Sequence, residues 1–219
     1  MNIRFLPPVR TIGDLLHRLG DVPAERVRFD PVPGAATVQH LSLPENRLCE
    51  LLDDTLVEKA VGYRESLVAM VLAQVLGAFV RGRNLGLLSG PDGPFEILPG
   101  LVRLPDLAFI SWDRLPGRSI PESPVPGVVP DLVIEVWSQN NSRAEIVRKR
   151  EEYFRSGVRV VWEIDPRART VQVFTSLDRV VQLSSNDTLS GEPLLPGFLL
   201  PLQELFAELD RQGQVLSQA

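Results

Sequence analysis

Pro130-Asp131-Leu132-Val133-Ile134-Glu135-Val136-Trp137 is an apolar run with a carboxylate set into its middle. It reads as a strand. An ionised Glu between Ile134 and Val136 would cost several kcal/mol if it were buried without a partner, about the usual desolvation penalty. A metal ion, a Lys or a tight hydrogen-bond network has to compensate it, and the first two are also parts of a hydrolytic site.

Downstream, Ser138-Gln139-Asn140-Asn141-Ser142 supplies cap residues for a helix from about Arg143 to Ser156, closed by Gly157. Strands are expected at Val158 to Ile164, Thr170 to Thr175 and Val180 to Leu183, with Asp165-Pro166-Arg167-Ala168 as a turn. The tail, from Pro196-Gly197-Phe198 through Leu205 and Phe206, predicts a last strand and a short amphipathic helix.

Upstream, Leu101 to Ser111 reads as one strand containing Pro105-Asp106, and residues 113 to 130, with Pro116, Pro121, Pro124, Pro126 and Pro130, form a loop. Tyr63 to Arg81 has the apolar spacing of a mostly buried helix. Arg47 to Leu52 and Thr55 to Lys59 flank Asp53-Asp54 as a hairpin, whose Glu50 and Glu58 are most simply exposed. Residues 1–44, rich in Pro and Gly with a short helix after Thr11, are expected to be an extension docking on a core of residues 45–219. Helices before and within a run of strands give an α+β (mixed α/β) fold with a central sheet.

The bulk numbers exclude several classes. A net charge of -5 and a pI near 5.2 argue against non-specific coating of nucleic acid. Cys49 is alone, and His17 and His40 are the two histidines, so disulfide frameworks and zinc sites are not expected. The first residues do not read as a signal peptide, and Leu67 to Val80 is interrupted by Gln74 and Gly77. The expectation is a cytoplasmic protein without membrane association.

If the strands holding Asp106 and Glu135 pair in suitable register, these two carboxylates converge. They repel one another unless a cation lies between them, and hard oxygen ligands select Mg²⁺ or Mn²⁺. Lys149 and Tyr153 lie one helical turn apart and line one edge of the helix that follows. From the residues alone, Asp106 reads equally well as a turn residue. Lys149, within Arg148-Lys149-Arg150-Glu151-Glu152, reads as a solvated helix face. Arg143, Arg148, Arg150 and Arg155 would suit a phosphate backbone, but Glu145, Glu151 and Glu152 on the same helix weaken that reading.

Pro105-Asp106, the run from Pro130 to Val136 with Ser138, then Lys149, Tyr153, Gly157-Val158, Trp162 and Asp165-Pro166 resemble the Uma-type family of restriction-endonuclease-like proteins, a branch of the PD-(D/E)XK nuclease superfamily. The resemblance runs from about Arg47 to Phe206. It implies a restriction-endonuclease-like core with a central mixed sheet flanked by helices, and a Mg²⁺- or Mn²⁺-dependent endodeoxyribonuclease in which Asp106 and Glu135 hold the metal and Lys149 assists the attacking water. Trp137 stands where the superfamily usually carries its Lys. Tyr153, Glu50 and Glu65 are the supporting candidates around the site, Glu65 standing where this branch often has His. The expected partner is nucleic acid, DNA foremost. The competing reading is a nuclease fold kept as a silent binding or interaction module, as a homodimer, and a third is action on a small phosphorylated substrate.

Overall fold

The opening run is one of the two middle strands of the largest sheet, and every residue of it from Leu132 to Val136 is buried. A computed structural model describes residues 8–212, so the first seven residues, including those weighed as a signal peptide, lie outside it. In chain order the elements begin with α1 (Ile12–Arg18), the hairpin β1 (Cys49–Leu52) and β2 (Thr55–Glu58), and α2 (Tyr63–Gly82). Then come β3 (Gly86–Ser89), β4 (Phe95–Leu98), β5 (Leu101–Arg103), β6 (Leu107–Ser111), β7 (Leu132–Val136) and α3 (Arg143–Ser156). After α3 come β8 (Val160–Asp165), β9 (Thr170–Ser176), β10 (Arg179–Ser184), β11 (Thr188–Ser190), β12 (Leu199–Pro201) and α4 (Leu202–Ala207).

Six strands form the central sheet in the order β10-β9-β8-β7-β6-β3. β7 and β8 are parallel and the other neighbours antiparallel, so the sheet is mixed. A parallel pair needs a crossover, and α3 supplies it. Ser142 caps the helix by accepting from the Glu145 amide, and Gly157 closes it in the left-handed region. The crossover therefore lays α3 across one face of β7.

Alternation along β7 divides the core. Leu132, Ile134 and Val136 pack with Val68, Leu72 and Leu76 of α2 and with Leu205 and Phe206 of α4. Val133 points to the opposite layer, with Ala108, Ile110, Val161 and Tyr153, and Glu135 follows it by the same period. α2 is long and apolar enough by length and composition to cross a membrane, the interruptions at Gln74 and Gly77 notwithstanding. Its Val68, Leu72 and Leu76 are nevertheless fully enclosed in this core.

A second sheet has the order β2-β1-β5-β4. Asp53 and Asp54 both take positive φ in the hairpin turn, a conformation Asp tolerates better than most residues. The expected single strand from Leu101 to Ser111 is two strands in two sheets. Pro105 has no N–H to continue a ladder, and the chain passes from β5 to β6 through Leu104-Pro105-Asp106. Asp106 consequently precedes its strand.

Residues of the segment 8–44 pack against the first hairpin and α3. Leu15, Leu19, Val22 and Val27 enter the α3-side core, and Val27 bridges to Val57. Arg26 donates to both Glu145 oxygens at 2.7 and 2.9 Å and to the Glu58 carbonyl at 2.7 Å.

Candidate active site

Leu107 stands opposite Ile134 across the antiparallel β6–β7 pair, so the next positions outward are Asp106 and Glu135. Asp106 donates its amide to the Ile134 carbonyl at 3.1 Å and accepts the Val136 amide on Oδ2 at 2.7 Å. These bonds fix its carboxylate at the end of the sheet. Its other oxygen, Oδ1, lies 2.8 Å from the ammonium of Lys59, the residue that follows β2.

Glu135 is held from the α3 side. Tyr153 donates its hydroxyl to Oε1 at 2.5 Å, and Lys149 reaches both oxygens at 3.2 and 3.3 Å. Lys149 also lies 3.1 Å from Glu50 Oε1. Glu50, on β1, is fully buried rather than exposed as its hairpin position suggested. Leu51 faces Val102 across β1 and β5, which sets Glu50 beside Arg103. Arg103, also fully buried, donates to Glu50 at 2.6 Å and to Glu152 at 2.5 and 2.8 Å. Glu152 is shared with Arg148 at 2.7 Å. One ionic network thus ties both sheets to α3.

The α3 face that the residues alone read as solvated, and that the family resemblance turned toward the site through Lys149, is the buried one. Glu145, Lys149, Glu152 and Tyr153 recur at helical spacing on it, each matched by a charge or hydroxyl acceptor from elsewhere in the fold. Of the four arginines considered as a phosphate patch, Arg148 is engaged with Glu152, Asp53 and the Arg18 carbonyl, and Arg150 pairs with Glu163 over the Phe174 ring. Arg143 and Arg155 are exposed.

Burial and charge act differently on the carboxylates. Burial pushes the Glu50 carboxyl up, but Lys149, Arg103 and the Leu104 amide outweigh it and hold the group down at about 2. Burial raises Glu135, and the attraction of Lys149 does not cancel it; neighbouring Asp106 and Glu50 push the same way. Burial also works against a charged Lys149, yet Glu135, Glu50 and Glu145 keep its ammonium above the ordinary lysine range. Tyr153 is held well above its usual value by burial and then by Glu135, so its hydroxyl stays a donor.

Glu50 has a consequence in acid. Its folded value lies below its ordinary 4.5, so its stabilisation is complete above about pH 4.5 and is lost as pH falls toward 2. The full interval corresponds to about 3 kcal/mol. Asp131, Glu145 and Glu152 are also lowered and add losses of the same sign. Urea unfolding at pH 7 and pH 3 is expected to show a marked drop that Glu50→Gln makes shallower; an equal slope in that variant would contradict the assignment.

Two spaces flank β7 at Val136. On the α3 side, Glu135, Lys149, Tyr153, Trp137 and Glu163 line a narrow cavity of about 10 Å³, room for about one water. On the other side is a cleft of about 290 Å³, lined by Asp106, Lys59, Glu65, Asp92, Ser66 and the apolar residues of the α2 N-terminal turns. Lys149 is not part of the cleft wall. Glu65 lies at the cleft's α2 rim, packed back against Gly62.

Among the described residues no three His, Cys, Asp or Glu side chains gather as a metal cluster. The donor set still suits a hard cation, because Mg²⁺ is commonly held by one or two carboxylates with waters and substrate phosphates completing its shell. Asp106 and Glu135 would be those carboxylates. Lys59 and Arg103 received no role from the sequence. The signal for Arg103 was present in Leu101-Val102-Arg103-Leu104, a lone charge among apolar residues, the same pattern that picked out Glu135.

Comparison with known proteins bears on the fold and the family. A solved structure described as a "putative nuclease belonging to DUF820", from Anabaena variabilis, superposes with a TM-score of 0.67 at 19% identity, over 78% of this chain and 96% of that one. Its likeness is one of fold. Comparison with curated proteins gives no match. Residues 37–203 match the model of the Uma2 family, described as "Putative restriction endonuclease", and they include both sheets' site residues, α2 and α3. With more than half of its length matched, this chain belongs to the Uma2 family of restriction-endonuclease-like proteins.

Proposed function

We propose that the protein hydrolyses phosphodiester bonds of nucleic acid, DNA foremost, with Mg²⁺ or Mn²⁺ held by Asp106 and Glu135. The observation that carries this reading is the neighbouring placement of those carboxylates at the end of the β6–β7 pair, Asp106 on the wall of the open cleft and Glu135 in the narrow cavity behind it, in a chain of nuclease-like fold. When bound, such an ion supplies Lewis acidity and an activated water. Asp106 presents its carboxylate at the cleft wall, oriented by the Val136 amide. Tyr153 and Lys149 fix the orientation of Glu135 from behind. Lys149 supplies from α3 the positive charge that Trp137 cannot supply from the strand, and it acts through Glu135 and Glu50.

Labelled single- and double-stranded DNA and RNA incubated with Mn²⁺ provide the test. Cleavage is expected, chelation should stop it, and Asp106→Asn should lower its rate at least about a hundredfold, the scale of losing one preorganised electrostatic partner. Cleavage that continues unchanged in Asp106→Asn would mean that the chemistry lies elsewhere.

A second reading is a silent binding module. It is favoured by the pairing of each carboxylate with an ammonium, Asp106 with Lys59 and Glu135 with Lys149. Oligonucleotide binding without Mn²⁺-dependent cleavage in any of these assays would select it.

A further inference from the structure

The Lys59 side chain is 4% exposed, and its ammonium has two acceptors, Asp106 Oδ1 at 2.8 Å and the Pro91 carbonyl at 3.1 Å. Asp106 Oδ2 is taken by the Val136 amide. The two oxygens are thus engaged by unlike partners. The amide belongs to the packed sheet, whereas the ammonium ends a four-carbon stem that can swing without moving backbone. A cation reaching Asp106 from the cleft has to approach the oxygen that Lys59 holds.

Lys149 is placed otherwise. Its ammonium is enclosed between Glu50 and Glu135 and faces the narrow cavity under α3. Among the residues lining the wide cleft, Lys59 is the cation, accompanied by the carboxylates of Glu65, Asp92 and Asp106. A phosphate entering there meets mainly negative charge unless Lys59 turns toward it.

We propose that Lys59 is a counter-ion switch: it occupies Asp106 Oδ1 until a divalent cation takes that oxygen, and its released ammonium then contacts a phosphate oxygen of the nucleic acid in the cleft. Two cations on one carboxylate oxygen repel, so metal entry drives the ammonium off. The backbone phosphate of the substrate replaces the lost acceptor. Metal and phosphate binding are thereby coupled through one side chain. This inference rests on the phosphodiesterase reading of Asp106.

The test compares the wild type with Lys59→Met, which keeps the length of the stem and removes its charge. In titration calorimetry, Lys59→Met is expected to bind Mn²⁺ at least about tenfold more tightly, because a competitor for Asp106 is gone. Binding of a DNA oligonucleotide in Ca²⁺ should weaken, with the salt dependence falling by about one phosphate contact. A merely structural Lys59 predicts the opposite for the metal, since loss of packing would loosen the site. Equal or weaker Mn²⁺ binding by a Lys59→Met protein with wild-type circular dichroism overturns the switch, as does an unchanged salt dependence. If Lys59→Met does not fold, Lys59→Gln carries the same comparison. Absence of Asp106-dependent Mn²⁺ heat in every variant, wild type included, removes the metal-based reading itself and the switch with it.

Discussion

Arg103→Met is expected to cost the fold about 3–5 kcal/mol, the scale for removing one partner from a buried ionic cluster. Arg103 is fully buried and is the sole cation within hydrogen-bond distance of Glu50 besides Lys149 among the described contacts. Its loss leaves Glu152 with Arg148 alone and strips Glu50 of its 2.6 Å partner. Glu50 is fully enclosed and cannot reach water without opening the contact between α3 and the second sheet, whereas Glu152 borders an open pocket beside Arg148 and Arg155. Methionine fills most of the volume, so the cost arises from uncompensated charge rather than from a cavity. Urea denaturation at pH 7 measures it. A loss below about 1 kcal/mol would show that the cluster relaxes and that Arg103 is not its keystone. The double variant Arg103→Met with Glu50→Gln should recover part of the loss, since removing both charges of a buried pair is milder than removing one.

This cluster marks the boundary of what the amino-acid pattern discloses. β7 was legible because a strand covered on both faces reads as an unbroken apolar run. α3 was legible because Ser142 and Gly157 are strong end signals, and the first hairpin because Asp53-Asp54 tolerates positive φ. Gly86–Ser89 and Phe95–Leu98 passed without assignment, each strand being only four residues long. The division of Leu101 to Ser111 was missed although Pro105 stood within it, because a proline marks a break and does not say that the chain changes sheets.

The burial of the charged face of α3 was hidden from the residue pattern for a related reason. A helix bearing Arg148-Lys149-Arg150-Glu151-Glu152 reads as solvated until its partners are known, and those partners lie on β1, β5 and β7. Helical spacing identifies which of these residues share a face, but not whether that face meets water or Glu50 and Arg103. Lys59 was hidden more completely: it follows the last residue of a short strand, and only the fold brings Asp106 to within 2.8 Å of it.

Glu135→Gln is expected to separate activity from stability. Glutamine keeps the shape of the side chain, and its amide oxygen can still accept the Tyr153 hydroxyl that now meets Oε1 at 2.5 Å. Lys149 keeps Glu50 at 3.1 Å. The charge that is lost is one that burial already penalises more than Lys149 repays. The unfolding free energy at pH 7 should therefore stay within about 1 kcal/mol of wild type, close to the range of conservative substitutions. Mn²⁺-dependent cleavage should fall at least about a hundredfold, because a neutral amide holds a divalent cation far less well, and it is that cation which would stabilise the negative charge developing at the phosphate. Glu135→Ala removes the same charge but leaves the buried Tyr153 hydroxyl without its acceptor and a gap beside it, so it should lose stability as well, by about 2–4 kcal/mol. Oligonucleotide cleavage at saturating Mn²⁺, paired with urea midpoints for both variants, reads out the two effects. If Glu135→Gln cleaves at the wild-type rate, Glu135 is a structural counter-ion of Lys149; if it unfolds as readily as Glu135→Ala, the charge itself is what α3 packs against.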